Sequence, residues 1–223
     1  MFPPEPASRT GPAPKPVWRG RLHLVWFQLS LIAGTALVAG VHGRLRVTAA
    51  AVYCAGVSAL FGASALYHRG DWRFATSRVL QRLDHLTIFI VIAGTATPFY
   101  LLAAPGAYGI ACLTLTWTLA AVAAGLHLVW MNAPERLVGG VYIGLGVVAG
   151  LALPQVWARA GAVVGLLVVA GGLHYVVGAV GYHLRRPDPA PAVFGYHEVF
   201  HAFVCAAATC HYVAVVAIVA IVT

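Results

Sequence analysis

Residues 195–203 read GYHEVFHAF, from Gly195 to Phe203, and lead into an apolar run that continues to position 221. On a helix, His197 and His201 stand one turn apart on the same face. Two imidazoles placed that way can grip one metal ion, provided a further ligand arrives from elsewhere. Glu198 completes a literal H-E-x-x-H, the string with which zinc proteases hold their metal. The stretch therefore fits two different proteins: one with a protease helix, and one in which a membrane span carries half of a metal site.

The surroundings choose the second. Of 223 residues, 61% are hydrophobic and 9% are charged, against roughly 25% charged in an ordinary soluble domain. The mean hydropathy is +0.84. A soluble chain of this size has no interior large enough for so much apolar surface, so the composition predicts an all-α, polytopic membrane protein. The formal charge of +8 does not point to nucleic acid. Every basic residue except Lys15 is an arginine, and these collect between apolar runs, as in membrane loops. Cys54, Cys112, Cys205 and Cys210 sit inside apolar runs without C-x-x-C spacing and read as small packing residues.

Residues 1–17 include Pro3, Pro4, Pro6, Pro12, Pro14 and Pro16 and lack apolar periodicity. They are expected to form a disordered cytoplasmic tail ahead of one membrane domain over 18–223. The first apolar run follows Arg19 and Arg21 and is of spanning length, so it reads as an anchor and not as a cleaved signal. Seven runs of roughly 20 residues, the length that crosses the hydrocarbon, fall near 23–41, 48–67, 83–103, 108–130, 137–154, 161–182 and 196–221. The fifth is expected to end at Pro154. Its Gly139, Gly140, Gly144, Gly146 and Gly150 are expected to form a close-packing face. With the N-terminus inside, only Arg44, Arg46 and Arg159 fall outside, and the other eleven basic residues fall inside. The positive-inside rule then predicts a cytoplasmic N-terminus and an external C-terminus in a multi-pass cell-membrane protein. That is the reverse of a G-protein-coupled receptor.

Ionisable groups inside a span are costly and mark function by default. His68 ends the second run in SALYH, Asp84 begins the third in RLDHLTIF, and His197 and His201 begin the seventh. Under the derived orientation all four lie at the inner end of their helices and can meet at one depth. Three histidines with a carboxylate or water make an ordinary zinc shell. Asp84 could ligate directly, or hold a water on the metal and act as a base toward it. Ser64 stands one turn before His68, in reach of that water or of the carboxylate. The plainer alternative is a buried polar network that braces the helices without metal.

The protease reading fails because no third ligand follows. After Glu198 the chain has no Asp or Glu, position 207 is Ala207, and His211 lies about 15 Å deeper along the helix. Glu198 is expected at the headgroup interface or in a salt bridge with an inner-loop arginine. Among the other histidines, His85 is expected to hydrogen-bond a neighbouring helix, and His127 and His174 to make interhelical hydrogen bonds. His42 and His183 are expected in solvent and His23 at the inner interface, while His211 is notable for its depth. Thr95, Thr97 and Pro98 are expected to kink the third helix. Asp71, Trp72 and Arg73 read as an inner loop with an aromatic anchor.

Three strings together, SALYH at 64–68, RLDHLTIFIVIAGTATPFY at 82–100 and GYHEVFHAFV at 195–204, resemble the hemolysin III / progestin and adipoQ receptor (PAQR) superfamily, in its bacterial hemolysin III branch. The resemblance covers the whole membrane portion. It implies a seven-helix bundle with its N-terminus inside and a Zn2+ site near the cytoplasmic face. The ligands carried over by motif are His68, His197 and His201. Asp84 would hold a zinc-bound water, and Ser64 would be the serine of the second helix. The resemblance further implies hydrolysis of a lipid amide such as ceramide, with membrane lipids as partners and a role in lipid homeostasis. Ala96 departs from the pattern, since many relatives carry a tyrosine there. Two other functions compete: a non-enzymatic regulator of membrane state with structural zinc, and a pore-forming or haemolytic protein.

Overall fold

The computed structural model describes residues 15–130 and 132–221. Of the tail expected over 1–17, only Lys15, Pro16 and Val17 are among them. The helices are α1 (Arg21–Gly40), α2 (Arg44–Arg69), α3 (Phe74–Pro98), α4 (Ala107–Val129), α5 (Glu135–Ala149), α6 (Leu153–Ala160), α7 (Ala162–Leu184) and α8 (Tyr196–Ile221). Seven segments are long and apolar enough to cross a membrane, with α5 and α6 sharing one of them. Pro154 does not end that span. It sits in the first turn of α6, where its missing N–H costs no bond, and a 3-10 turn over Gly150–Ala152 links the two halves.

The helices are enclosed to very different degrees. Within their most apolar windows, α2, α3 and α8 are 56%, 72% and 50% buried, while the other spans are 11–22% buried. These three inner helices are the ones that carry His68, Asp84 and the His197/His201 pair. Between helices in lipid there is little hydrophobic drive, so close packing and hydrogen bonds hold the bundle. On α3, Gly94 lets the backbone of α2 approach so closely that a Cβ there would stand 3.3 Å from the Val52 carbonyl oxygen. Tyr212 donates to the Ala33 carbonyl at 3.0 Å and Tyr53 to the Ala208 carbonyl at 3.4 Å, tying α8 to α1 and α2.

Pro98 marks the departure from regular helix expected in the third span. With no N–H to donate, the α-helix gives way to a π-helical turn over Phe99–Ala103. The Thr97 hydroxyl donates to the Ala93 carbonyl at 2.8 Å and accepts from Trp117 Nε1 at 3.1 Å, which fastens α4 at the same level. The glycine face of α5 differs from expectation. A Cβ at Gly139, Gly140, Gly144, Gly146 or Gly150 would meet nothing within 4 Å. Because α5 lies at the rim of the bundle, these glycines look outward and make no close packing among the described residues.

Candidate metal centre

One end of the bundle gathers the histidines. Alternating helix direction brings the start of α1, the end of α2, the early turns of α3 and the start of α8 to the same level. One ligand nitrogen from each of His68, His197 and His201 lies within 4.8 Å of the other two. His68 Nε2 stands 3.3 Å from His197 Nε2 and 3.6 Å from Asp84 Oδ2. His201 is 2% exposed, and its Nδ1 is buried without a hydrogen-bond partner. Ser64, one turn before His68, is buried as well.

The residues fit a metal ion. Two nitrogens held about 2.0–2.1 Å from one ion in a tetrahedron lie about 3.3 Å apart, which is the separation of the His68 and His197 nitrogens. An imidazole nitrogen left unpaired in the interior is costly. Three rings converging with a carboxylate alongside give such nitrogens a common partner. The set His68, His197 and His201 can therefore hold a metal ion, with Asp84 within reach.

Glu198 has a different task from the one its motif suggests. It is fully buried, with its Oε1 accepting from Arg19 Nε at 2.5 Å and its Oε2 accepting from the Gly195 N–H at 2.9 Å. Of the two expectations for Glu198, a salt bridge with an arginine is present, but the partner comes from the segment just before α1 and not from a loop between helices. Both carboxylate oxygens are engaged away from the histidines.

That segment contributes three features that the apolar runs did not reveal. Val17 and Trp18 donate backbone hydrogen bonds to the Ala192 and Val193 carbonyls in the α7–α8 loop. Lys15 Nζ donates to the Gly70 carbonyl at 2.8 Å and pairs with Asp71 at 3.2 Å beyond α2. Gly20, at φ +72°, turns the chain into α1 directly against His68, where a Cβ would approach the His68 Cβ to 2.9 Å. Residues 15–20 thus form a strap across the loops that frame the histidines.

The first span supplies a fourth ring. His23 is 3% exposed and stacks on His201 with centroids 3.7 Å apart and planes 9° from parallel. Both of its ring nitrogens are buried without partners. A signal for it existed, because His23 lies at the same counted depth as His197 and at the same end of its span. The other histidines are separate. His85 Nδ1 donates to the Gln81 carbonyl of its own helix, and its ring stacks on His127 of α4. His174 likewise bonds the Ala170 carbonyl within its helix. His211 bonds the Val168 carbonyl across to α7, far from the cluster.

Comparison with known proteins gives the family of the chain. Residues 13–212 match the family described as haemolysin-III related. The chain is 28% identical over 129 residues to the hemolysin-3 homolog of Bacillus subtilis (strain 168), 58% of each chain. It is 29% identical over 164 residues to hemolysin-3 of Bacillus cereus, 73% of this chain and 72% of that one. The first of these alignments spans little more than half of the relative. With seven apolar helices and a family match over nearly its whole length, this multi-pass bacterial membrane protein belongs to the haemolysin-III-related family.

Proposed function

We propose that the protein is a zinc-dependent membrane hydrolase that cleaves an amide bond in a membrane lipid such as ceramide, at the cytoplasmic end of its bundle. The observation that carries the reading is the Asp84 carboxylate, 3.6 Å from His68 Nε2 beside three converging histidines, with Glu198 withdrawn onto Arg19. Three neutral imidazoles suit zinc among the available divalent ions. His68, His197 and His201 would hold the zinc, which would supply Lewis-acid chemistry toward a carbonyl oxygen and toward water, whose pKa it would bring toward about 7.

The chain's own residues supply the rest. Asp84 takes the proton from the attacking water as the new C–O bond forms, and returns it to the leaving amine as the C–N bond breaks. Ser64 offers a hydrogen bond to the developing oxyanion. The enclosed walls of α2, α3 and α8 keep bulk water away from these groups. Eleven inner basic residues against three outer ones support placing this end in the cytoplasm. Purified protein should contain zinc and release fatty acid from ceramide, and Asp84→Asn should keep the zinc and lose the release. A zinc-loaded preparation with no turnover on any acyl amide would end the hydrolase reading.

The His68–His197 approach, which joins α2 to α8, favours a second reading: zinc that only staples helices in a non-enzymatic regulator of membrane state. In that case Asp84→Asn leaves function intact, while alanine at any of the three histidines removes stability and function together. The name hemolysin-3 carried by the Bacillus cereus relative keeps a haemolytic role as a third outcome, read by leakage of dye from liposomes.

A further inference from the structure

The opposite end of the bundle holds an open cleft of about 480 Å³ between the α1–α2 turn, the π-helical turn after α3 and the end of α6. Arg44, Arg46 and Arg159 line it, and His42 stands at its edge. The rest of the lining is largely apolar, with Leu45, Leu101, Leu102 and Pro105 among it. We infer that this cleft is a phosphate site for the headgroup of an anionic phospholipid, separate from the histidine centre and independent of the function proposed for it.

Charge accounting comes first. None of the three arginines has a carboxylate or hydrogen-bond partner among the described residues. The acidic side chains Asp71, Asp84, Asp188 and Glu198 all lie at the histidine end, and Glu135 opens α5 at that end too. Three like charges therefore share one cleft with no counter-charge in the described protein. By the count of basic residues these are also the three arginines on the side of the membrane where arginine is least expected.

Their placement along the chain adds to this. Arg44 and Arg46 occupy the first turn of α2, and the residue before that helix, Gly43, provides no side-chain cap. The free N–H groups of a helix start already carry partial positive charge, and anions, not cations, are favoured there. Two arginines in that turn oppose the stability of the isolated helix. An anion held among them satisfies the guanidinium groups and the open N–H groups together.

The wall selects the kind of anion. A guanidinium fork matches a phosphate oxygen pair, and three forks around one cleft suit a phosphodiester better than a lone carboxylate. Arginines and leucines line the same cleft where the spans Arg44–Arg69 and Phe74–Ala103 end, which is the level of headgroups meeting hydrocarbon, and a diacyl lipid offers a match to both. Basic pockets between membrane helices bind anionic lipids in this manner.

The test uses the full chain in detergent and follows its thermal unfolding while phosphatidylglycerol or phosphatidylcholine is added. Phosphatidylglycerol should protect at a concentration at least about tenfold lower than phosphatidylcholine. The preference should fall below about twofold in Arg44→Gln/Arg46→Gln/Arg159→Gln. It should persist in Arg73→Gln/Arg185→Gln, which removes two charges at the other end. Helicity by circular dichroism and a single size-exclusion peak on each variant report whether the bundle is intact, and the wild-type comparison needs no variant. Equal protection by the two lipids overturns the proposal, as does equal loss in both sets of variants. Protection by inorganic phosphate matching that by phosphatidylglycerol overturns the lipid assignment.

Discussion

At the histidine end Arg19 meets a buried carboxylate and Lys15 an exposed one, whereas at the far end Arg44, Arg46 and Arg159 meet neither among the described residues. Both ends carry arginine, and α2 runs from one to the other. They differ in what closes them. The histidine end is covered by a strap of chain that brings its own counter-charges, and its polar groups are turned inward toward one point. The far end is left open, with cations at the rim and leucines beneath. A buried charge must find a partner within the fold, because water is absent. An exposed one can wait for a partner from outside. The difference separates an end whose charged groups are paired within the chain from a cleft whose charges are left for a partner from outside.

The comparison breaks most sharply if the histidines do not form one unit. His201→Ala should lower metal affinity by more than about 100-fold, exceeding the cost typical of losing a supporting residue, as read by metal analysis after dialysis. His174→Ala, on the same bundle but apart from the cluster, should leave metal content unchanged. Retention of metal by His201→Ala would mean that the three rings do not share an ion.

Next in size is the buried ion pair. Glu198→Gln strands Arg19 and should cost about 3 kcal/mol, toward the lower end for a broken buried pair because Arg19 keeps some solvent contact. Arg159→Ala, which removes an arginine of the far end, should stay within about 0.5 kcal/mol in the absence of anionic lipid. Equal losses in thermal unfolding would erase the distinction between the two ends.

Smaller effects sharpen the same contrast. His23→Leu removes the ring stacked on His201 and should weaken metal binding about tenfold, as loss of a supporting contact does. His127→Leu should not. Gly20→Ala places a Cβ against His68 at a positive φ and should cost about 1–2 kcal/mol. Gly144→Ala meets open space on a helix and should gain up to about 1 kcal/mol. Unfolding curves of the two alanine variants should therefore move in opposite directions.

Much of the centre can be read before any coordinates because each of its groups is an ionisable residue in an apolar span, and depth can be counted along a helix at a fixed rise. That arithmetic brings His68, Asp84, His197 and His201 to one level without knowing which helices touch. It gives no azimuth. His23 lies at the same depth, yet its role depends on α1 packing beside α8, which no periodicity in the first span announces. For the same reason the α5 glycines are recognisable as a small-residue face while the direction of that face is not. The strap escapes for another reason. Its contacts are backbone bonds and two ion pairs made from a proline-rich stretch whose composition argues against any fixed structure.

The Arg19–Glu198 pair joins positions 179 residues apart, and that separation orders the making of the molecule. A ribosome delivers the strap, His23, His68 and Asp84 long before α8 emerges. Until the last span inserts, Arg19 lacks its counter-charge, the strap lacks the loop it pairs with, and two of the three histidine ligands do not exist. A chain stalled before α8 therefore carries only one of the three histidines that could hold a metal ion. Completion of the final helix and completion of the site are one event.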